Sequence, residues 1–324
     1  MVPVLTPLAL IAQRWTPSPR TVRRATLSAV VMTVLIIVTG GAVRLTGSGL
    51  GCDTWPKCTD DSLFTTPEQG IHGVIEFGNR LLTYVVSAAV GWAIVATRST
   101  KPWRRQLSRL GWLQFWIVLL NAVIGGITVR MELNPWTVAV HFLAANALLT
   151  VTVVTWLRAG EGDGAPRPRV PGPVRKLGWS LVVVSGVLIA AGTVVTGTGQ
   201  HAGDSSDVPR MPFDYATTAQ AHAAFAWIVC VLAVAMFFVL RVVDAPDDIR
   251  ARARDLLLVL LAQGLIGYVQ YFTGVPEILV GAHMLGSSLL WVAVLRLALS
   301  LRERPATTPG IPAQTGDAAL TPAA

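Results

Sequence analysis

Residues 217–243 read TTAQAHAAFAWIVCVLAVAMFFVLRVV, and Arg241 is the only Asp, Glu, Lys or Arg residue among them. A helix that crosses a bilayer needs about 20 mostly apolar residues, so this stretch predicts a transmembrane helix. Runs this long and continuous favour helices over the strands of a closed barrel, the only other structure that crosses lipid. Seven more stretches meet the same condition, which gives eight predicted spans near residues 25–44, 71–97, 107–128, 136–158, 177–197, 217–243, 254–273 and 276–300. The sequence therefore predicts an all-α membrane protein with eight transmembrane helices.

The composition of the whole chain agrees with this prediction. Of the 324 residues, 52% are hydrophobic and 14% are charged, whereas soluble globular proteins carry about 25% charged residues. The net charge of +8 would suit a nucleic-acid partner, but the basic residues lie in short connections between apolar runs. The composition and the position of the charges exclude a disordered chain, a nucleic-acid-binding module and most soluble enzymes.

The basic residues also predict the orientation of the chain in the membrane. They are concentrated after the even-numbered spans, as Arg98, Lys101, Arg104, Arg105, Arg109, Arg158, Arg167, Arg169, Arg175, Lys176, Arg241, Arg250, Arg252, Arg254, Arg302 and Arg304. Each of the other connections holds at most two basic residues. By the positive-inside rule, the basic connections and both termini are expected in the cytoplasm, and the protein is expected to be a multi-pass protein of the cell membrane.

A Gly- and Pro-rich stretch at residues 160–173 divides the spans into two groups of four. From Pro305 onward the chain is rich in Ala, Thr, Pro and Gly without periodicity, which indicates disorder. The predicted organisation is a cytoplasmic N-terminal segment at 1–24, a first four-helix bundle at 25–159, a cytoplasmic linker at 160–176, a second four-helix bundle at 177–300 and a disordered cytoplasmic tail at 301–324.

The two groups of spans repeat each other in sequence. The motif NAVIG at 121–125 begins 20 residues before His141, and QGLIG at 263–267 begins 20 residues before His283. The first span ends in TGSG at 46–49 and the fifth in TGTG at 196–199. Because each half has an even number of spans, both halves have the same orientation and the repeat axis runs along the membrane normal. We therefore expect two pseudo-symmetric four-helix bundles side by side.

Four of the five histidines lie near the outer start of even-numbered spans, namely His72, His141, His222 and His283. Ionisable residues inside a span are costly and are functional candidates by default. Two histidines that face each other at one level of a four-helix bundle are a common way to hold a haem, and His222 with His283 makes such a pair. The alternative is that each histidine hydrogen-bonds a neighbouring helix. A zinc site fits less well, since no Cys or carboxylate cluster completes a tetrahedral site in the second half.

The second span of the first half carries a different set of polar residues. His72, Glu76 and Asn79 are spaced i, i+4 and i+7, which places them on one face of the helix. Asn79 aligns with His222 of the second half, and Glu76 aligns with an alanine. A carboxylate in one bundle only suggests that this bundle performs chemistry while the other holds a permanent redox cofactor. The alternative is a structural ion pair between Glu76 and Arg80, which is four residues further along the helix.

Cys52 and Cys58 lie in the predicted outer loop after the first span. An oxidising outer face permits a disulfide between them, while two free thiols or a transient redox pair are the alternatives. His201 lies in another outer loop and is interpreted as a surface residue. Cys230, within the sixth span, is interpreted as a small apolar residue of the core.

Taken together, these residues resemble the haem A synthase family, membrane enzymes that convert haem O to haem A for terminal oxidases. The stretches that carry the resemblance are TGGAVRLTGSGLGC at 39–52, EFGNR at 76–80, GGITVR at 125–130 and GQHAGD at 199–204, together with the histidines of spans four, six and eight. Each motif alone is weak, but the combination is specific and covers roughly residues 25–300. The resemblance implies eight helices in two four-helix halves, which agrees with the count above.

The resemblance also implies ligands and roles. His222 and His283 would ligate a bound haem b, and the first half would bind haem O as substrate, with His141 as an axial ligand and Glu76 as the catalytic residue. Family members commonly read Glu-x-x-His-Arg, whereas this chain has Asn79 in the histidine position. Either His141 mainly holds the substrate haem or His72 supplies a second ligand, and the substrate pocket would also include Asn79 and Arg80.

The implied reaction oxidises the C8 methyl group of haem O through an alcohol and a hydrate to a formyl group, with oxygen taken from water. Electrons would leave through haem b to a membrane acceptor, and Glu76 would take up a proton. The implied partners are a haem O synthase as substrate donor and the assembly of a terminal oxidase. Cys52 and Cys58 match the outer-loop cysteines of many members.

A second hypothesis is a di-haem electron carrier, a quinol-linked cytochrome b that performs no chemistry on a haem. It accounts for the histidines but gives no reason for Glu76 in one half only. A small-molecule transporter is the third hypothesis, which the sequence disfavours because no span shows paired Gly or Pro breaks near its middle.

Overall fold

A computed structural model describes residues 7–201, 203–204 and 206–306. Most of the predicted disordered tail, from residue 307 onward, and the first six residues of the predicted N-terminal segment lie outside the described residues. The part of the chain described contains nine α-helices and two short strands: α1 Pro7–Arg14, α2 Pro19–Leu45, α3 Gly70–Arg98, α4 Arg105–Arg130, α5 Pro135–Ala159, β1 Arg167–Pro168, α6 Gly172–Thr198, α7 Tyr215–Val242, α8 Asp247–Phe272, α9 Glu277–Ser300 and β2 Arg302–Glu303.

Helices α2 to α9 are each long and apolar enough to cross a membrane, which confirms the eight predicted spans. Several helices extend beyond their apolar segments. Helix α2 begins six residues before the predicted span, because Pro19 occupies its first turn and the side chain of Ser18 accepts a hydrogen bond from the Thr21 N–H. Helix α8 begins at Asp247, where two acidic residues of the first turn complement the helix dipole. The short helix α1 was not predicted and packs against α3.

The helices form two rings of four. In the first bundle, α2, α3, α4 and α5 pack in a closed cycle, and in the second bundle α6, α7, α8 and α9 do the same. Across the boundary, α5 packs against α9, α2 against α9 and α5 against α6. These contacts are symmetric. If α2 is exchanged with α6 and α5 with α9, the α2–α9 contact becomes the α6–α5 contact, and the α5–α9 contact is unchanged. The predicted architecture of two pseudo-symmetric four-helix bundles is therefore confirmed.

The two ends of the bundles are packed differently. We call the end that carries Cys52 and Cys58 the disulfide side, and the end at which α2 begins and α9 ends the terminal side. In the second bundle the buried core lies toward the terminal side, where it includes Met236, Leu240 and Leu297. The core of the first bundle, with Val90 and Ala93, lies at the same end. The helices therefore pack tightly at the terminal side, and the space between them lies toward the disulfide side.

The linker between the bundles is held at the terminal side by the chain that follows α9. Strands β1 and β2 pair antiparallel, with Arg167 opposite Glu303. The Arg169 guanidinium makes an ion pair with Asp248 at 2.6 Å, and the Gly162 N–H donates to the Arg304 carbonyl. Residues 301–305, which the sequence places at the start of the tail, are therefore paired with the linker through their backbone.

Candidate functional site

A cavity of about 1590 Å³ occupies the disulfide-side half of both bundles. A typical site for a drug-sized ligand encloses about 300–1,000 Å³, so this cavity has room for more than one large ligand. Its walls are mainly apolar, as expected for helices that face one another inside a membrane. Its polar lining includes His141, His222 and His283, on α5, α7 and α9, together with Glu76 and Asn79 on α3.

Each of the three histidines lies against a glycine of the preceding helix. The pairs are His141 with Gly125, His222 with Gly192 and His283 with Gly267. A Cβ atom added at these glycines would lie 3.2, 3.2 and 3.3 Å from the respective imidazole Cε1 atoms, closer than ordinary van der Waals contact. The close approach of ring and backbone explains why a glycine ends both repeated motifs, at positions 125 and 267.

The orientation of the three imidazoles leaves one nitrogen free. The Nδ1 atoms of His141, His222 and His283 are buried and make no hydrogen bond within the described residues, although the Leu188 carbonyl approaches the His222 ring. The Nε2 atoms of these rings are not among the buried atoms that lack a partner, and all three residues line the cavity, which indicates that Nε2 is the nitrogen open to a ligand there. A neutral imidazole that presents a free nitrogen to an apolar cavity is suited to ligate a metal centre.

The two histidines of the second bundle face each other across the cavity. Their ring centroids are 6.4 Å apart, with an angle of 70° between the ring planes. Two metal–imidazole bonds of about 2 Å each, plus ~1.1 Å from each nitrogen to its ring centroid, place coaxial rings about 6 Å apart. The spacing therefore fits one iron atom between His222 and His283, with a macrocycle supplying its other ligands. The remaining walls have the apolar character that such a macrocycle requires.

The corresponding level of the first bundle has one histidine and one asparagine. The Thr39 hydroxyl donates a hydrogen bond to Asn79 Oδ1 at 2.8 Å. This bond takes one of the two acceptor positions of the amide oxygen and leaves the Asn79 Nδ2 group available as a donor to a ligand. His141 is therefore the histidine that the structure brings to the cavity in this bundle, as one predicted alternative requires.

Glu76 and Arg80 form an ion pair and also hold the loop that contains the disulfide. Glu76 is 5% exposed, and its Oε1 accepts hydrogen bonds from Arg80 Nε at 3.0 Å and Nη2 at 2.5 Å. Its Oε2 accepts the Cys52 N–H at 2.7 Å. The remaining Arg80 N–H groups donate to the carbonyls of Cys52, Thr54 and Lys57 at 2.9–3.1 Å. The ion pair proposed as the alternative role of Glu76 is thus present, and both side chains also line the cavity.

The loop 52–58 covers the part of the cavity within the first bundle. Cys52 and Cys58 form a disulfide, as predicted, and both are fully buried. Trp55, at the tip of the loop, lines the cavity and packs its indole against Gly126 of α4. The Arg130 guanidinium donates to the Trp55 carbonyl at 3.1 Å. We refer to residues 52–58 as the roof of the first bundle.

His72 lies apart from the other predicted residues. It lines a separate cavity of about 230 Å³, and its Nδ1 makes a 2.9 Å hydrogen bond with the Ser48 hydroxyl. The large cavity does not include His72 among its lining residues. The helical spacing predicted correctly that His72 and Glu76 share a helix, but His72 is one turn closer to the disulfide side, where the chain after α2 covers it.

Two residues of the cavity were not identified from the sequence. His201, interpreted above as a surface residue, lines the cavity and donates from Nε2 to the Val275 carbonyl at 2.9 Å. Arg44 also lines the cavity, and it donates from Nε to the His201 carbonyl at 2.9 Å and from Nη2 to the Thr196 carbonyl at 2.8 Å. Both lie in motifs that the sequence analysis quoted. Arg44 could have been identified from the sequence, because it is a basic residue at the end of a span and no acidic residue lies near it in the sequence to balance its charge.

The chain is similar to known proteins over most of its length. The profile of the family COX15-CtaA, described as cytochrome oxidase assembly protein, matches residues 23–295. Relatives described as "Heme A synthase" include a protein from Exiguobacterium sibiricum, 27% identical over 51% of this chain. Others come from Lysinibacillus sphaericus, 29% identical over 62% of this chain, and Symbiobacterium thermophilum, 23% identical over 75% of it. The matched regions cover 56%, 66% and 83% of these three relatives, so the chain matches little more than half of the first.

Proposed function

The chain belongs to the COX15-CtaA family of cytochrome oxidase assembly proteins, and we propose that it is a haem A synthase, an oxidoreductase that converts the C8 methyl group of haem O to a formyl group. One observation carries the proposal. A single cavity joins a paired-histidine site in one bundle to a site in the other bundle that has one histidine and a buried glutamate. The names of the relatives support the same reaction.

In the second bundle, His222 and His283 would hold a resident haem b through its iron. Haem b supplies one-electron redox chemistry when it is bound. The protein contributes the position of the two imidazoles, which Gly192 and Gly267 fix by close contact. The apolar helix faces around them exclude water from the site.

In the first bundle, His141 would be the axial ligand of the substrate, haem O. Asn79 lines the same cavity and accepts the Thr39 hydroxyl, and it is poorly suited to ligate iron, since haem iron is held by His, Cys, Met or Tyr side chains. His72 is the less suitable second ligand, because it lines the separate small cavity. We therefore propose that the substrate is held through His141 alone and by apolar contacts, which would leave the macrocycle exchangeable.

Glu76 is the proposed proton acceptor for oxidation of the substrate methyl group. Conversion of a methyl to a formyl group with one oxygen atom from water releases four protons and four electrons. An ionised carboxylate offers about four lone-pair positions, and three of those of Glu76 accept N–H groups from Arg80 and Cys52. One position remains for a water molecule or a substrate hydroxyl. Arg80 would then be a positioning residue that holds both the carboxylate and the roof.

The location of the site suggests an orientation and partners. A disulfide indicates an oxidising compartment, and the basic connections lie at the terminal side. We propose that the disulfide side faces outward from the plasma membrane and that both termini are cytoplasmic. A haem O synthase would supply the substrate, terminal oxidase assembly would consume the product, and a membrane acceptor would take the electrons from haem b.

The experiment that tests the function is expression of the chain beside a haem O synthase in cells that lack haem A, followed by haem extraction and chromatography. A haem A synthase produces haem A and carries haem B together with traces of haems O and A. A di-haem electron carrier would contain two haem B per chain and leave haem O unconverted. Complete absence of haem A from cells that contain the folded chain and haem O would refute the proposal.

A further inference from the structure

The Arg44 guanidinium is a cation without a carboxylate partner inside the cavity. Arg44 lies in the last turn of α2, and its hydrogen bonds go to the Thr196 and His201 carbonyls of the second half of the chain. Among the described residues no carboxylate forms an ion pair with it, and the charged group that acts on it most strongly is another cation, Arg210. A charge removed from water without a counter-ion is unfavourable, because it loses its hydration and gains no ion pair.

Arg80 also lines the cavity, but its charge is balanced by a carboxylate. Arg80 has the Glu76 carboxylate at 2.5 Å and three carbonyl groups at its remaining donors. Arg44 has only two of its five N–H groups bound to carbonyls. Its free donors are therefore available to an anion that enters the cavity.

The position of Arg44 relative to the second bundle identifies the level at which that anion would bind. Thr196, which accepts a hydrogen bond from Arg44, is four residues beyond Gly192, which contacts the His222 ring. Four residues of α-helix rise about 6 Å, so the guanidinium lies about one turn closer to the disulfide side than the histidine pair. The His201–Val275 hydrogen bond fixes the loop whose carbonyl holds Arg44 in this position.

We propose that Arg44 is a carboxylate-binding residue that takes a propionate of the haem held between His222 and His283. The assignment rests on the proposed function, because it requires a macrocycle with acidic side chains in the second bundle. Arg44 belongs to the first bundle, so this contact ties the first bundle directly to the cofactor of the second. Guanidinium groups suit this role because their planar donors match a carboxylate geometrically.

A purely structural role makes a different prediction, since Arg44 also caps the Thr196 carbonyl near the end of α6. Loss of a cap weakens folding whatever ligand is present, whereas loss of a carboxylate partner weakens only ligands that carry a free carboxylate. Ferric protoporphyrin IX and its dimethyl ester differ in that respect alone. The ratio of their affinities therefore separates the two roles.

The test uses the full-length chain, purified in detergent from haem-deficient cells. It carries His141→Ala, which removes the proposed haem ligand of the first bundle, so that the absorption comes from haem bound in the second bundle only. Each porphyrin is titrated, and the low-spin bis-histidine absorption is measured. A charge-assisted hydrogen bond is worth about 1.5–3 kcal/mol, so we expect the free acid to bind about 10- to 100-fold more tightly than the ester. Arg44→Gln should bring the ratio close to one without changing the affinity for the ester, and Arg44→Lys should retain part of the preference.

Arg210→Gln is the matched control, because Arg210 donates to the Gln200 carbonyl of the same loop and is absent from the lining of the cavity. It should retain the preference for the free acid. If Arg44→Gln weakens both compounds equally, Arg44 has a structural role only. If it changes the affinity for neither compound, the carboxylates bind elsewhere. A parent chain that binds neither compound would overturn the proposed function, and this assignment with it.

Discussion

Substitution of Gly126 by alanine should damage the first bundle selectively, because this glycine supports the roof. A Cβ atom at position 126 would lie 2.5 Å from Trp55 Cδ2 and 2.7 Å from Cε2. Ordinary van der Waals contact begins at 3.4 Å, so the indole must move away by about 1 Å. Trp55 cannot simply rotate aside, since the Cys52–Cys58 disulfide closes the loop and Arg130 holds the Trp55 carbonyl.

The change in stability should be small in comparison with the change in function. Overpacking a well-packed contact costs about 1–3 kcal/mol, while replacing glycine by alanine inside a helix returns about 1 kcal/mol. The chain should therefore fold, with a net loss of no more than about 2 kcal/mol. The lifted roof would admit water to the first bundle and displace the Cys52 N–H that binds Glu76. A misplacement of about 1 Å can lower a rate about 100-fold.

The assay is the ratio of haem A to haem O in cells that express a haem O synthase, with the bis-histidine haem b spectrum of the purified chain as internal standard. We expect a fall in haem A of at least about tenfold with an unchanged haem b spectrum. Gly264→Ala is the matched control, because Gly264 also lines the cavity but no atom lies within 4 Å of its added Cβ. Equal haem A production by Gly126→Ala and Gly264→Ala would refute the reasoning about the roof.

Three further predictions follow from the geometry of the two bundles. Replacing His222 or His283 by alanine should abolish the low-spin bis-histidine signal, and an unchanged spectrum in either variant would show that the ligands are wrong. Cys52 and Cys58 should not react with a membrane-impermeant thiol reagent until reductant is added, whereas labelling in untreated cells would exclude a resting disulfide. Glu76→Gln should keep haem b but lower the rate of haem O oxidation about 10²–10⁴-fold, as expected for a lost general base. Near-normal haem A from this variant would refute the catalytic role, and loss of haem b with poor expression would indicate a structural one.

The sequence was sufficient to predict the spans and the two bundles because both depend on patterns that repeat along the chain. Bilayer thickness requires long apolar runs, and the spacing from the NAVIG and QGLIG motifs to His141 and His283 is the same in both halves. The structure places these two histidines, with His222, on the walls of one cavity. A pattern of this kind specifies which face of a helix a residue occupies, and the packing of the bundle follows from that face.

Contacts between separate loops could not be predicted in the same way. His201 stands between a glutamine and an alanine in sequence, yet its ring binds the Val275 carbonyl 74 residues away. The roof likewise depends on Arg80, whose carbonyl partners lie 23 to 28 residues earlier in the chain. No periodicity links such positions, because the chain reaches them through irregular loops. The separation of His72 from the large cavity has the same origin, since it depends on where the loop after α2 lies.

The difference between the two bundles is concentrated in one turn of one helix pair. Helix α3 carries Glu76, Asn79 and Arg80 where α7 carries two alanines and His222. In α7 the histidine lies opposite His283, and the two alanines, Ala219 and Ala223, line the cavity without a polar side chain. In the same turn of α3, Asn79 stands in the position of the second histidine, Glu76 provides a carboxylate, and Arg80 holds the roof. A site that must release its macrocycle benefits from one axial histidine rather than two, and a site that oxidises it needs a proton acceptor and a cover. On the proposed function, these three differences on a repeated scaffold would distinguish the substrate site of the first bundle from the cofactor site of the second.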